Sequence, residues 1–150
     1  MSRASPAERR APRARAARRA VCAWLGLSLL GAAGKGRVSS YVDRAGLLLA
    51  EANRANDFLG KRLYDRELAR LVARAAEGRL QAAKETSVPE PLELAHPHLL
   101  LMLEHCERAA SAAAVGETAR YAKHTGASRD EEELFRSVLR ELGGSLSVRS

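Results

Sequence analysis

From Ser39 onward, apolar residues return every three or four positions, and no stretch alternates with period two. β-branched residues are few, and Ala, Leu, Arg and Glu dominate, all of them good helix formers. Strands are therefore not expected, and the chain is predicted to be all-α. At 150 residues it has room for one domain and hardly a second. Aromatic residues make up 4%, so Leu, Val and Ala must supply the core.

The helices can be placed from their stripes. Val42, Ala45, Leu48, Ala52, Ala55 and Leu59 form one face of a first helix, about Ser40 to Leu59. A second, about Arg62 to Lys84, has Tyr64, Leu68, Leu71 and Ala75 as its expected inner face. That face lies opposite the first stripe. One straight helix cannot bury both against one partner, so a break is predicted at Gly60-Lys61. Pro89 and Pro91 mark a linker over residues 85–91. The third helix begins between Pro91 and His98, with Pro97 suited to its first turn. Its inner face is Leu99, Met102, Leu103, Cys106, Ala109, Ala110 and Ala113. It ends at Gly116 or runs on to His124, with Thr125-Gly126 as the stop. Ser128 and Glu131 read as a capping box opening a last helix, about Ser128 to Leu142. Leu134, Phe135, Val138, Leu139 and Leu142 are expected to face inward, and Ser145 to Ser150 form a tail. Short connections between these elements predict an up-down bundle of three to four helices.

Charge is unevenly spread. Residues 1–19 carry seven arginines and one acid, residues 20–34 carry no charge, and residues 35–150 are nearly neutral at +1. The formal +7 is therefore a property of the leader, and nucleic acid is not the expected partner of the body. The uncharged run AVCAWLGLSLLGAAG behind the arginines is too short for an ordinary membrane span. A basic start, a short apolar run and small residues after it make a signal-like segment. The expected layout is thus a leader at residues 1–34 and one helical domain at residues 35–150. The protein is expected to be extracytoplasmic, periplasmic or secreted, with membrane contact mainly through residues 1–34. A mitochondrial matrix address and an uncleaved membrane anchor are the alternatives. With the leader removed only Cys106 remains, so no internal disulfide is expected. Within the body, residues 35–84 are basic at +5 and residues 85–150 acidic at −4, which predicts basic helices pairing with acidic ones.

Three constellations carry candidate chemistry. His98, Met102, His105 and Cys106 fall within one sector of the third helix, and imidazole, thioether and thiolate together suit copper(I) or haem. The plain alternative is that Met102 and Cys106 are core and the histidines flank it. Arg62, Arg66, Arg70 and Arg74 form a row able to hold phosphate or acidic lipid, or simply a solvated face. Glu93 and His96 have the Glu-x-x-His spacing of di-iron bundles, but no second pair exists. Catalytic motifs are missing: no Gly-x-Ser-x-Gly, P-loop, GxGxxG, HExxH or CxxCH occurs. A Cys106–His124 nucleophile pair is the one enzymatic arrangement left. No catalytic residue and no cofactor are expected.

The segment ETSVPEPLELAHPHLLLMLEHCERAASAAAVGE, residues 85–117, has a Pro-containing entry, a His at a helix start, Leu pairs and an Ala-rich second half. In this it resembles small exported all-helical bacterial proteins of unassigned function. The resemblance implies an extracytoplasmic helical bundle and brings no catalytic residue with it. The function expected is therefore contact with another protein, with self-association open. Soft-metal or haem binding and association with an anionic membrane or polyanion are the alternatives.

Overall fold

Gly60 ends the first helix where the two apolar stripes change sides, as the sequence predicts. The computed structural model describes the backbone of residues 11–143 and the side chains of residues 36–143. The signal-like segment expected at residues 1–34 and the tail expected at 145–150 lie outside the residues described in full. The chain divides into two units, Met1–Arg37 and Val38–Ser150. The described elements are α1 (Ala11–Gly60), α2 (Arg66–Lys84), a 3-10 turn (Glu90–Leu92), α3 (His96–Val115) and α4 (Thr118–Glu141), with no strand among them.

Within the second unit the helices run up, down, up, down. Tyr41 meets His96 and Asn56 meets Cys106, so the α1 segment and α3 run parallel. His98 meets Glu131 and His105 meets His124, so α3 and α4 are antiparallel. Asn53 meets Glu132 while Tyr121 reaches Asn56, so α1 and α4 are also antiparallel.

Local chemistry explains the ends. Asp65 caps α2 by accepting from the Leu68 amide at 2.9 Å. Pro97 sits in the first turn of α3. Gly116 takes the left-handed conformation at φ 83°, and the Glu117 amide returns to the Ala112 carbonyl. The Arg66 guanidinium lies over Gly116, where a Cβ would come within 2.9 Å of it.

Two inner faces differ from expectation. On α2 the buried residues are Ala69, Val72, Ala76 and Ala83, with Leu80 partly buried. Tyr64, Leu71 and Ala75 lie about a quarter turn or more away at 100° per residue, while Leu68, between the two faces, is half-buried against the core as expected. Tyr64 is 93% and Leu71 63% exposed. The cause is close approach: Ala69 and Val72 pack against Ala110 and Ala113 of α3, and bulky residues would hold those helices apart. On α4, Phe135 and Leu139 are buried and Val138 is partly so, but Leu134 and Leu142 face out. The α3 face is as predicted.

The start of α4 also differs. It begins at Thr118, ten residues before Ser128, and passes through Thr125-Gly126. Gly126 is exposed, and a helical glycine there costs about 1 kcal/mol. Packing of Ser128 and Tyr121 against α1 and α3 outweighs that. Ser128 is not a cap, and Glu131 binds His98 rather than a helix N-terminus. The expected pairing of basic with acidic helices is replaced by local pairs within helices: Arg70–Glu67, Arg108–Glu104, Arg120–Glu117 and Arg136–Glu132. Long side chains three or four residues apart meet at less entropic cost than across a bundle.

Candidate functional site

Asn56 occupies a core position of α1, continuing the series Ala45, Leu49, Ala52. A buried amide needs partners. Its Nδ2 donates to Cys106 Sγ at 3.1 Å, and its backbone carbonyl accepts from the Tyr121 hydroxyl at 3.3 Å. Cys106 Sγ also lies 3.1 Å from Ser128 Oγ and 3.9 Å from Met102 Sδ. Asn56 is 9% exposed and Ser128 2%. One polar knot therefore ties α1, α3 and α4 inside an otherwise apolar core.

Burial pushes the Cys106 thiol up, against the opposing pull of hydrogen bonds from Ser128 and Asn56 and the charge of Arg79. A buried, protonated thiol is a poor nucleophile. Its hydrogen bonds go to Asn56, Ser128 and Met102, while the His124 ring bonds His105 at Nδ1–Nδ1 3.2 Å. The proposed Cys106–His124 pair is thus not formed: His124 lies on the turn of α4 that faces His105. Because folding raises the thiol pKa, the stability it carries is full below the ordinary thiol pKa and declines as pH rises above it. Alkylation by iodoacetamide at pH 8, read on the Cys106 peptide, is expected to be ~100-fold slower in native protein than in urea. Equal rates would show an open site.

The four candidate metal ligands do not converge. His98 Nδ1 is 2.8 Å from Glu131 Oε2, His105 is engaged with His124, and Met102 and Cys106 lie in the core. Helical spacing put them in one sector, but the two histidines sit at its borders and turn to α4. Among the described residues, no three His, Cys, Asp or Glu side chains gather as a metal site. His96 bonds the Tyr41 hydroxyl at 2.9 Å and Glu93 is exposed, so the Glu-x-x-His pair is not assembled. Burial lowers the pKa of His96, and burial followed by the charges of His105, Arg108, Arg120 and Lys123 lowers that of His124.

The arginine row is also divided. Arg62 precedes α2 and stacks over the Phe58 ring at 4.3 Å. Arg66 covers Gly116, Arg70 pairs with Glu67, and Arg74 is exposed. The turn at Lys61-Tyr64 takes Arg62 off the helix that carries the other three.

Beside the polar knot, α1 and α4 flank a pocket of about 360 Å³ that is open to solvent. Asn53, Asn56, Tyr121 and Ser128 line it, with Lys61 and Arg129 among its charged groups. Gly60 makes room for the Tyr121 hydroxyl, which would sit 3.1 Å from a Cβ. Asn53 Nδ2 donates to both oxygens of Glu132, at 3.2 and 3.0 Å. The available signal for these residues was polarity on core-facing positions of α1 and α4. No described helix is long and apolar enough to cross a membrane. No family model, curated protein or solved structure matches the chain.

Proposed function

We propose that this is an exported, non-enzymatic helical bundle that acts by binding another protein through the outer face of α2. One observation carries the contact: Leu71 is 63% and, in the turn before α2, Tyr64 93% exposed, with Ala75 exposed beside Leu71, an apolar strip that no described element covers and whose inner border is Leu68, packed against the core. Exposing such a row has a solvation cost, and rows of this kind mark contact sites. Beside it run Arg70 and Arg74, and α2 as a whole has more bases than acids. The complementary occupant is an apolar helix edged with carboxylates. Export rests on the arginine-rich leader and the 15-residue uncharged run behind it.

A photo-crosslinking residue at position 71, in the native host, tests the contact against a control at position 140. A defined adduct from position 71 only, lost on Arg70→Glu plus Arg74→Glu, is the expected result. Its crosslinked segment should be acidic. An adduct of twice the chain mass identifies a second copy as the partner. No adduct, or the same adducts from both positions, removes the α2 reading. The mass of the native N-terminus tests export separately: a chain beginning near residue 34 is expected, and an intact Met1 or Ser2 in the cytosol overturns it.

A further inference from the structure

Two histidine pairs bridge α3 and α4, and acid acts on them in opposite directions. His98 Nδ1 lies 2.8 Å from Glu131 Oε2, an ion pair once the imidazole is protonated. Further along the same seam, the His105 and His124 rings stack at 5.4 Å, with their Nδ1 atoms 3.2 Å apart. That contact needs one Nδ1 as donor and the other as acceptor. A first extra proton leaves an acceptor in place. A second leaves two N–H donors and two like charges face to face. The surroundings oppose protonation. Burial first, then His105 and Arg108 from α3 and Arg120 and Lys123 from α4, lower the His124 pKa. Glu104 and Glu117 are held by Arg108 and Arg120, and Glu131 by His98. Asp57 and Lys61 of α1 meet α4 along the pocket at Tyr121 and Thr125, which His124 does not line. Arg79 of α2 acts on Cys106. Because folding lowers the His124 pKa, the contact is whole above the ordinary imidazole value and weakens as pH falls below it.

The part of α4 that carries His124 is also its weakly held part. The buried residues of α4 are Ser128, Phe135 and Leu139, all beyond Gly126. Before Gly126, Tyr121 packs against the cluster of Leu59, Val72 and Ala110, and its hydroxyl reaches the Asn56 carbonyl at 3.3 Å. Thr125 Oγ1 is buried without a hydrogen-bond partner, a defect that opening to water would relieve. Gly126 is exposed, with open space where a Cβ would stand, and a glycine inside a helix is a weak point in it. We infer that the α3–α4 seam is an acid-operated hinge: the second extra proton on the His105–His124 pair frees residues 118–125 from α3, the chain bends at Gly126, and His98 with Glu131 holds the remainder. Lifting Tyr121 bares the apolar cluster beneath it.

Amide hydrogen exchange of the full chain, corrected for the intrinsic effect of pH, tests the hinge. From pH 7.5 to pH 5, protection of residues 121–125 is expected to fall about tenfold, while that of residues 131–139 holds within about twofold. His124→Gln and His105→Gln each remove one of the two facing charges and leave a side chain that can still accept a hydrogen bond. Both rings are half-exposed, so either variant keeps the fold. Each should reduce the fall to below about twofold. The inference is overturned if protection of residues 121–125 is the same at both pH values, or if it falls equally in both variants. An equal fall over residues 131–139 overturns it too, since the whole bundle would then be loosening. None of these results bears on the α2 contact.

Discussion

Phe135→Ala is expected to lower the unfolding free energy by about 3–5 kcal/mol. Phe135 is the largest of the fully buried side chains. It sits in the cluster that joins Tyr41 and Leu49 of α1 to Leu99, Met102 and Leu103 of α3. Its removal both withdraws a ring from the core and leaves a void, because three helices meet around it and none can close in without moving the others. For a domain holding roughly 5–15 kcal/mol in total, that is a large share. The neighbouring Leu134 is 47% exposed, so Leu134→Ala should cost below about 1 kcal/mol. Urea unfolding followed by helical circular dichroism checks the pair. A loss under about 1 kcal/mol for Phe135→Ala would mean that this part of the core is not packed as described.

The comparison of these two residues also shows what periodicity could and could not deliver. It placed Phe135 and Leu139 inward, but it added Leu134 and Leu142, which lie on the edge of the same stripe. On α3 every predicted inner residue is buried, because that helix has neighbours on both sides and a broad apolar face. On α2 the large side chains drew the reading to the wrong face. Burial there belongs to alanines, whose small size permits close packing but gives a faint pattern in the sequence. The break at Gly60 was legible because two stripes disagreed across it. The true start of α4 was not, because Thr125-Gly126 and Ser128-x-x-Glu131 have the chemistry of a helix end and start. Only the tertiary contacts of Ser128 and Glu131 decide against that. The candidate ligands failed for a related reason: a helix sector fixes direction to within a turn, whereas coordination needs side chains to meet at one point. Asn56 was visible in the sequence all along. It follows Ala45, Leu49 and Ala52 at steps of four, three and four, a polar residue where an apolar one is due.

That position gives the second large effect. Asn56→Asp is expected to cost about 1–3 kcal/mol at neutral pH: the donor to Cys106 is lost and the new carboxylate is partly desolvated at the wall of the pocket. The amide donates to Cys106 Sγ, and a carboxylate cannot. Nor can it be neutralised by the thiol, whose proton burial holds in place. The new carboxyl would have a folded-state pKa above its unfolded value, so the sign is fixed. Its stability contribution is whole below the unfolded pKa, near 4, and is lost as pH rises toward the folded value. Wild type and Asn56→Asp should therefore differ least near pH 4 and most at neutral pH, opposite to ordinary acid destabilisation. Asn56→Leu serves as the contrast. It removes the donor without adding charge, and Cys106 keeps Ser128, so it should cost about 1 kcal/mol with no comparable pH dependence. If Asn56→Asp and Asn56→Leu have the same urea midpoints from pH 4 to 8, the knot is not a dry one. Water would then reach the knot through the pocket that Asn56 and Ser128 line, and the amide would add little to the core beyond its volume.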